Sequence, residues 1–294
     1  MVLILSWGST FAAIKVGLEY APPILFSGFR SVIGGLVVVA LAAWSGRSLD
    51  LHGHLAGYAM ITVFNVIGFF GVQTLAIQHL PSGLAAVLIY VQPVLTGVLA
   101  APLLGESLTM VKLTGLLLGF AGIVVVSIGA VRGHVSGLGI GLAALAALIW
   151  SLGTIVFKRE SERIDPWWAV AVSFLVGGLV LTVAGGVIEG FAIEWSPTFG
   201  WALAYSSLVG TALAWGLWFD LVGAGEASRA AAWIFFVPLV SLVVGAVLLG
   251  ETLDLSLLLG AALVVVGVFL VNRRSEKSPA PGSSPQSPAA PPRH

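Results

Sequence analysis

Runs such as Ile33–Trp44 (IGGLVVVALAAW) and Leu116–Gly129 (LLLGFAGIVVVSIG) contain no charged residue. With their flanks they reach the roughly 20 residues that a helix needs to cross a hydrocarbon core of about 30 Å. Runs of this kind follow one another along most of the chain, and nothing else in it constrains the fold as tightly. Lipid offers no hydrogen bonds, so a spanning segment must satisfy its own backbone, which points to helices. Only 9% of the residues are charged and 58% are hydrophobic, against roughly a quarter charged in a soluble domain. The expectation is an all-α integral membrane protein.

Breaks at Pro, Gly and charged clusters divide the chain into ten expected spans, near 2–20, 24–45, 55–79, 82–103, 110–130, 137–157, 166–187, 199–222, 226–249 and 255–272. Residues 273–294 (RRSEKSPAPGSSPQSPAAPPRH) are rich in Pro and Ser, have no apolar periodicity, and read as a disordered tail. No positive region precedes MVLILSWGS, so a cleaved signal peptide is not expected. With the N-terminus inside, the cytoplasmic side receives Arg47, Lys112, Lys158, Arg159, Arg163, Arg229 and the tail's Arg273, Arg274, Lys277 and Arg293. Lys15, Arg30 and Arg132 are left over, and this asymmetry predicts cytoplasmic N- and C-termini.

The stretch SWGSTFAAIKVG, Ser6 to Gly17, returns as IWSLGTIVFKRE, Ile149 to Glu160: each has a Trp, then Gly and Thr, and a Lys eight positions after the Trp. At the same shift of 143, Pro23, Gly34 and Gly35 match Pro166, Gly177 and Gly178. Further on the shift is 145, pairing Pro93 with Pro238, Glu106 with Glu251, Gly115 with Gly260 and Gly122 with Gly267. A two-residue indel between the second and third spans of the unit accounts for the change. Residues 1–131 and 132–272 thus read as two five-span repeats. An odd number of spans makes the second copy enter the membrane from the opposite face, so the repeats are inverted, the arrangement by which secondary transporters alternate access. The sixth span starts near Gly137, well before Trp150, whereas only six residues precede Trp7, so the first span is shorter at its opening end or starts upstream of Met1.

Other classes fit less well. There is no Cys, no H-E-x-x-H and no paired buried carboxylate, which argues against an enzyme; His52-Gly-His54 is too weak a pattern for a metal site. No Walker loop is present, so neither ATP drive nor any other cofactor is expected. Zero formal net charge argues against nucleic acid as a partner. A channel would want a filter or ring built by oligomerisation, whereas inverted repeats with paired prolines fit alternating access, for which a monomer is the expectation.

The residues SWGSTFAAIK, GFRSVIGGL and, above all, LPSGLAAVLIYVQPVLTGVLAAPLLGESLTMVKLTGLLLGFAGIVVV resemble the EamA-type transporters of the drug/metabolite transporter superfamily. The likeness runs from about residue 4 to 272. It implies ten helices, an internal duplication, a central cavity, and export of small metabolites across the bacterial inner membrane. Within the superfamily the chain is similar to bacterial aromatic amino-acid exporters, which implies amino acids, bulky or aromatic ones favoured; drug-like or cationic metabolites are the alternative. Asp220, in LWFDLVGAG, departs from the aromatic residue common there.

An unpaired polar group facing lipid is costly, so polar residues inside the spans mark a pathway or a contact between helices. Thr10, Asn65, Gln73, Tyr90, Gln92 and Thr154 are such residues: they offer uncharged hydrogen bonds either to an amphipathic substrate or to one another. Trp7, Trp150, Trp215, Trp218 and Trp233 lie inside spans and form either an aromatic wall for substrate or ordinary packing. Trp44, Trp167, Trp168, Trp195 and Trp201 fall at span edges, as an interfacial belt does. His79, at the outer end of the third span, either meets substrate at a cavity mouth or sits in the interface. Pro93 and Pro238 are matched mid-span prolines, and as kinks they are candidate gating hinges.

The charged residues leave alternatives too. Lys15 and Lys158 either interact with the carbonyl ends of their own helices or attract a carboxylate. Arg30 snorkels outward, pairs with Glu19, or faces the cavity. Glu106 and Glu251 read as caps that hold the next helix at the interface. Gly115 and Gly119 suit either a dimer interface or packing within the chain.

Overall fold

The structure is a computed structural model that describes residues 1–105, 110–132, 136–223, 234 and 236–272. For residues 112, 116, 126–132, 220–223, 271 and 272 it describes the backbone alone. Trp233, Glu106, Arg229 and the tail 273–294 lie outside the described residues, as do the side chains of Lys112, Arg132 and Asp220.

The apolar runs are helices, and no strand occurs among the described residues. They are α1 (Val2–Gly17), α2 (Pro23–Trp44), α3 (Leu55–His79), α4 (Ser82–Leu104), α5 (Met110–Arg132), α6 (Gly137–Glu160), α7 (Pro166–Ile188), α8 (Pro197–Ser207, continuing through Leu208–Leu213 and Ala214–Gly223), α9 (Val237–Leu249) and α10 (Leu255–Asn272). Of these, α2, α3, α4, α6, α7 and α8 are long and apolar enough to cross a membrane. Among the described residues the apolar stretches of the others, Val2–Gly17, Leu113–Val125, Val237–Leu249 and Leu255–Leu270, are shorter.

Local chemistry sets the ends. Asp165 caps α7 by accepting from the N–H groups of Trp167 (2.9 Å) and Trp168 (3.1 Å), with Pro166 in the first turn, where its missing N–H costs nothing. Ser196 and Pro197 open α8 in the same way. In the two LLGE segments, α4 and α9 stop at Gly105 and Gly250, with φ of 68° and 65°, a left-handed conformation that a side chain would strain.

Packing brings matched residues together. Helix α2 lies on α7 so closely that a Cβ on Gly178 would stand 2.7 Å from the Val32 amide nitrogen, and one on Gly35 would stand 2.7 Å from that of Leu175. Helix α5 lies on α10, where a Cβ on Gly122 would meet the Gly260 carbonyl oxygen at 2.7 Å and one on Gly267 the Gly115 carbonyl oxygen at 2.6 Å. Of the two alternatives for this small-residue pattern, the glycines serve packing within the chain.

At one end of the bundle Arg47 pairs with Asp165 at 2.7 Å, and Arg159 donates to the Leu103 carbonyl. At the other end Glu189 accepts from the N–H groups of Ile24 (2.9 Å) and Leu25 (3.1 Å), and Glu251 from those of Ser82 (2.6 Å) and Gly83 (3.0 Å). Glu251 thus holds a helix, but it is the start of α4 rather than the next helix, α10. The tryptophans expected in a belt divide: Trp44, Trp195 and Trp201 are exposed, whereas Trp168 is buried and donates Nε1–H to the Arg47 carbonyl at 3.1 Å.

Candidate functional site

Both α3 and α8 contain one π-helical stretch, Thr62–Gly68 and Leu208–Leu213. A π turn adds a residue and interrupts the regular ladder, a distortion often found at functional sites. Next to these turns Phe69, Phe70 and Trp215 project into the middle of the bundle, where they meet Trp7 of α1, Tyr90 of α4 and Trp150 of α6.

The rings form one continuous cage. Trp150 stacks on Phe69 with centroids 4.8 Å apart and 22° between planes, and takes Tyr90 edge-on at 5.4 Å. Trp7 lies edge-on to Trp150 at 5.9 Å and to Trp215 at 5.8 Å, and Phe70 stands 5.6 Å from Trp215. Edge-to-face and offset contacts of this kind hold aromatic clusters in fixed orientations. Thr10 also lines the cavity, bonded to the Ser6 carbonyl at 2.5 Å.

The polar side of the cage is Arg30 with Gln73. Arg30 is 1% exposed; its Nη2 donates to Gln73 Oε1 at 2.8 Å and its guanidinium lies 4.0 Å from the centre of the Phe70 ring. Its Nε has no hydrogen-bond partner, and no carboxylate among the described residues pairs with it. Snorkelling and pairing with Glu19 are therefore corrected: Arg30 faces the cavity. The free space among these side chains is about 20 Å³, enough for a water molecule. A metabolite can occupy the site only if the helices around it separate.

The candidate residues divide accordingly. Trp7, Thr10, Gln73, Tyr90, Trp150 and Trp215 line the cavity; Trp218 does not, and packs behind Trp7 with ring centroids 5.8 Å apart. Gln92 and Thr154 do not line it: Gln92 Nε2 donates to Thr154 Oγ1 at 3.0 Å and to Thr96 Oγ1 at 2.9 Å, so they bond α4 to α6. Asn65 packs on Gly153 of α6, and His79 is exposed at the end of α3, away from the cavity. Lys15 interacts with a carbonyl end, but that of α3 rather than its own helix, donating to Ile77 (2.8 Å), Gln78 (3.1 Å) and Leu80 (2.9 Å).

Pro93 stands in the first turn of the segment Gln92–Leu104, and α4 breaks just before it at Tyr90 and Val91. Pro238 likewise stands in the first turn of α9. These prolines begin helical segments instead of bending continuous ones, because the ring excludes a regular turn on its N-terminal side.

Phe11, Arg30, Phe69, Phe70 and Gly210 are the cavity residues that sequence reasoning missed or underweighted. A signal for Arg30 was present: the positions three and four away on either side, Phe26, Ser27, Ile33 and Gly34, include no acid to pair with it. Phe70 stands 145 positions before Trp215, the shift already set by Pro93 and Pro238.

An apolar helical bundle with a narrow aromatic cavity among its helices is a form that suits a membrane carrier. The chain belongs to the EamA-like transporter family, which matches residues 1–128 and again residues 137–273. It is a multi-pass membrane protein and a transporter rather than an enzyme. It is 40% identical over 275 residues to the uncharacterized transporter YvbV of Bacillus subtilis, covering 93% of this chain and 90% of that one. A probable amino-acid metabolite efflux pump of Salmonella typhimurium is 31% identical over 282 residues, covering 92% of each chain. A crystal structure with the same fold superimposes with TM-score 0.68 at 23% identity, covering 92% of this chain and 93% of the other. A place in the bacterial plasma membrane is consistent with these relatives.

Proposed function

We propose that this chain is a secondary transporter that exports small metabolites, amino acids with bulky or aromatic side chains above all, by alternating access through the central cavity. The observation that carries the reading is the aromatic cage itself. Trp7, Tyr90, Trp150 and Trp215 surround a narrow central space, and aromatic faces there complement a flat apolar side chain. The Salmonella relative named as an amino-acid metabolite efflux pump supports the substrate class.

The chain crosses the membrane ten times as two inverted five-helix units, 1–131 and 132–272, with both termini and the tail 273–294 in the cytoplasm. Three things support this reading. The family matches the two halves separately. The π turns of α3 and α8 and the glycine stops of α4 and α9 occupy corresponding places. Arg47, Arg159 and Arg163 lie toward one end of the bundle, the end assigned to the cytoplasm by charge. Exchange of conformation between two similar halves opens the cavity to one side and then to the other, with the break beside Pro93 and the start of α9 at Pro238 as hinges. One chain suffices for this cycle.

The test is uptake of labelled amino acids into proteoliposomes, with and without an imposed pH gradient. Saturable uptake of phenylalanine or tryptophan is the expected result, and the gradient response reports coupling. Single-channel current would replace the carrier with a pore, and transport restricted to organic cations would replace the substrate class.

A further inference from the structure

The cage has one feature that an apolar side chain does not require: a buried guanidinium. Arg30 uses Nη2 on Gln73 and lays its plane against Phe70, yet its Nε has no partner. No carboxylate among the described residues neutralises it, and none lines the cavity. A cation without a counter-ion in a low-dielectric bundle is costly to keep, and the missing charge is most cheaply supplied by what the cavity takes in. A guanidinium fork matches a planar carboxylate with two parallel N–H···O bonds.

We propose that Arg30, oriented by Gln73, is the carboxylate anchor of the transport site, resting on the carrier reading above. The substrate is an anion or zwitterion with a carboxylate at the Arg30 end and a flat apolar body among Trp7, Trp150 and Trp215. Simple organic cations are excluded, because their charge would meet Arg30 in a space that no acid among the described residues lines. Gln73 is a positioning residue: its Oε1 holds one terminal nitrogen and leaves the Nε edge of the fork open.

The test is a titration of the purified chain in detergent, followed by the fluorescence of the tryptophans that line the cavity. The ligands are L-phenylalanine, 3-phenylpropionate, which lacks the amine, and phenethylamine, which lacks the carboxylate. The first two are expected to give saturable quenching, and phenethylamine to bind about tenfold more weakly or less. Gln73→Glu gives Arg30 a counter-ion of its own, so it is expected to weaken 3-phenylpropionate about tenfold while the melting temperature holds or rises. Arg30→Lys keeps the charge without the fork and is expected to fall between wild type and Gln73→Glu.

Equal binding of phenethylamine and 3-phenylpropionate would overturn the anchor, as would unchanged carboxylate binding in a folded Gln73→Glu protein. So would no saturable binding of any of the three. Proteoliposome uptake separates the two claims. Uptake of phenylalanine with no dependence on the carboxylate would sink the anchor and leave the carrier standing. Carboxylate binding in detergent with no uptake would do the reverse.

Discussion

Trp7 and Trp150, 143 positions apart in the chain, meet edge to face at the centre of the bundle, with ring centroids 5.9 Å apart and 86° between their planes. Around them other matched positions also meet: Phe70 and Trp215, 145 positions apart, approach to 5.6 Å. Thr10 packs on Gly210 as Asn65 packs on Gly153. Under the proposed duplication, an axis relating the halves runs between the two tryptophans, and whatever opens the cavity must part this pair.

Removing either ring should therefore act on stability and transport together. Trp150 is buried and stacked on Phe69, so Trp150→Ala is expected to cost about 3–5 kcal/mol. Trp150→Phe keeps most of the apolar volume and should fold, with lowered transport. Trp7→Phe should behave the same way. Thermal unfolding in detergent together with proteoliposome uptake checks both; full transport by the two Phe variants would reduce the pair to packing.

The α2–α7 contact leaves no room for a methyl group. Gly178→Ala places carbon 2.7 Å from the Val32 amide nitrogen, and because the obstacle is backbone, the helices must part. A cost of about 1–3 kcal/mol is expected, read as a lower melting temperature. Gly200→Ala, where a Cβ meets nothing within 4 Å, is the control that should leave it unchanged.

The turn between α3 and α4 is held from both sides, by Lys15 on the carbonyls of Ile77, Gln78 and Leu80 and by Glu251 on the N–H groups of Ser82 and Gly83. Glu251→Gln removes the negative charge from a helix N-terminus, worth about 1 kcal/mol. Hydrogen exchange at Ser82 and Gly83 should then quicken about fivefold. Lys15→Met should loosen the same turn from its other side. Unchanged exchange in both variants would show that apolar packing alone holds the turn.

Asp254 opens α10, accepting from the Leu257 N–H and the Ser256 hydroxyl, each at 2.7 Å. The Ser256 hydroxyl first, and then the Leu257 amide, hold its carboxyl below the ordinary aspartate value. A depressed carboxylate stabilises the folded form above its unfolded pKa, and that contribution is lost as pH falls through the folded pKa. Protection of the Leu257 amide should therefore decline on acidification below the usual aspartate range. Asp254→Asn should remove this pH dependence; if the variant retains it, another group is responsible.

The run of uncharged apolar segments dictated helices, because lipid leaves the backbone no other partner. Where both ends lie among the described residues it also set them within a few residues, since Pro, Asp, Ser and Gly act on the turn in which they stand; the expected start of the ninth span, near 226, lies outside the described residues. Pairing Trp7 with Trp150 likewise needed only the spacing in the chain. What a side chain faces is different, because it depends on which helices become neighbours. Gln92 and Thr154 looked as fit for substrate as Gln73, yet they satisfy one another across α4 and α6, while Gln73 is turned to Arg30. Arg30 itself had a choice of fates in the sequence. Tertiary packing decided among them by burying its guanidinium against Phe70, out of reach of the exposed Glu19 and of the interface.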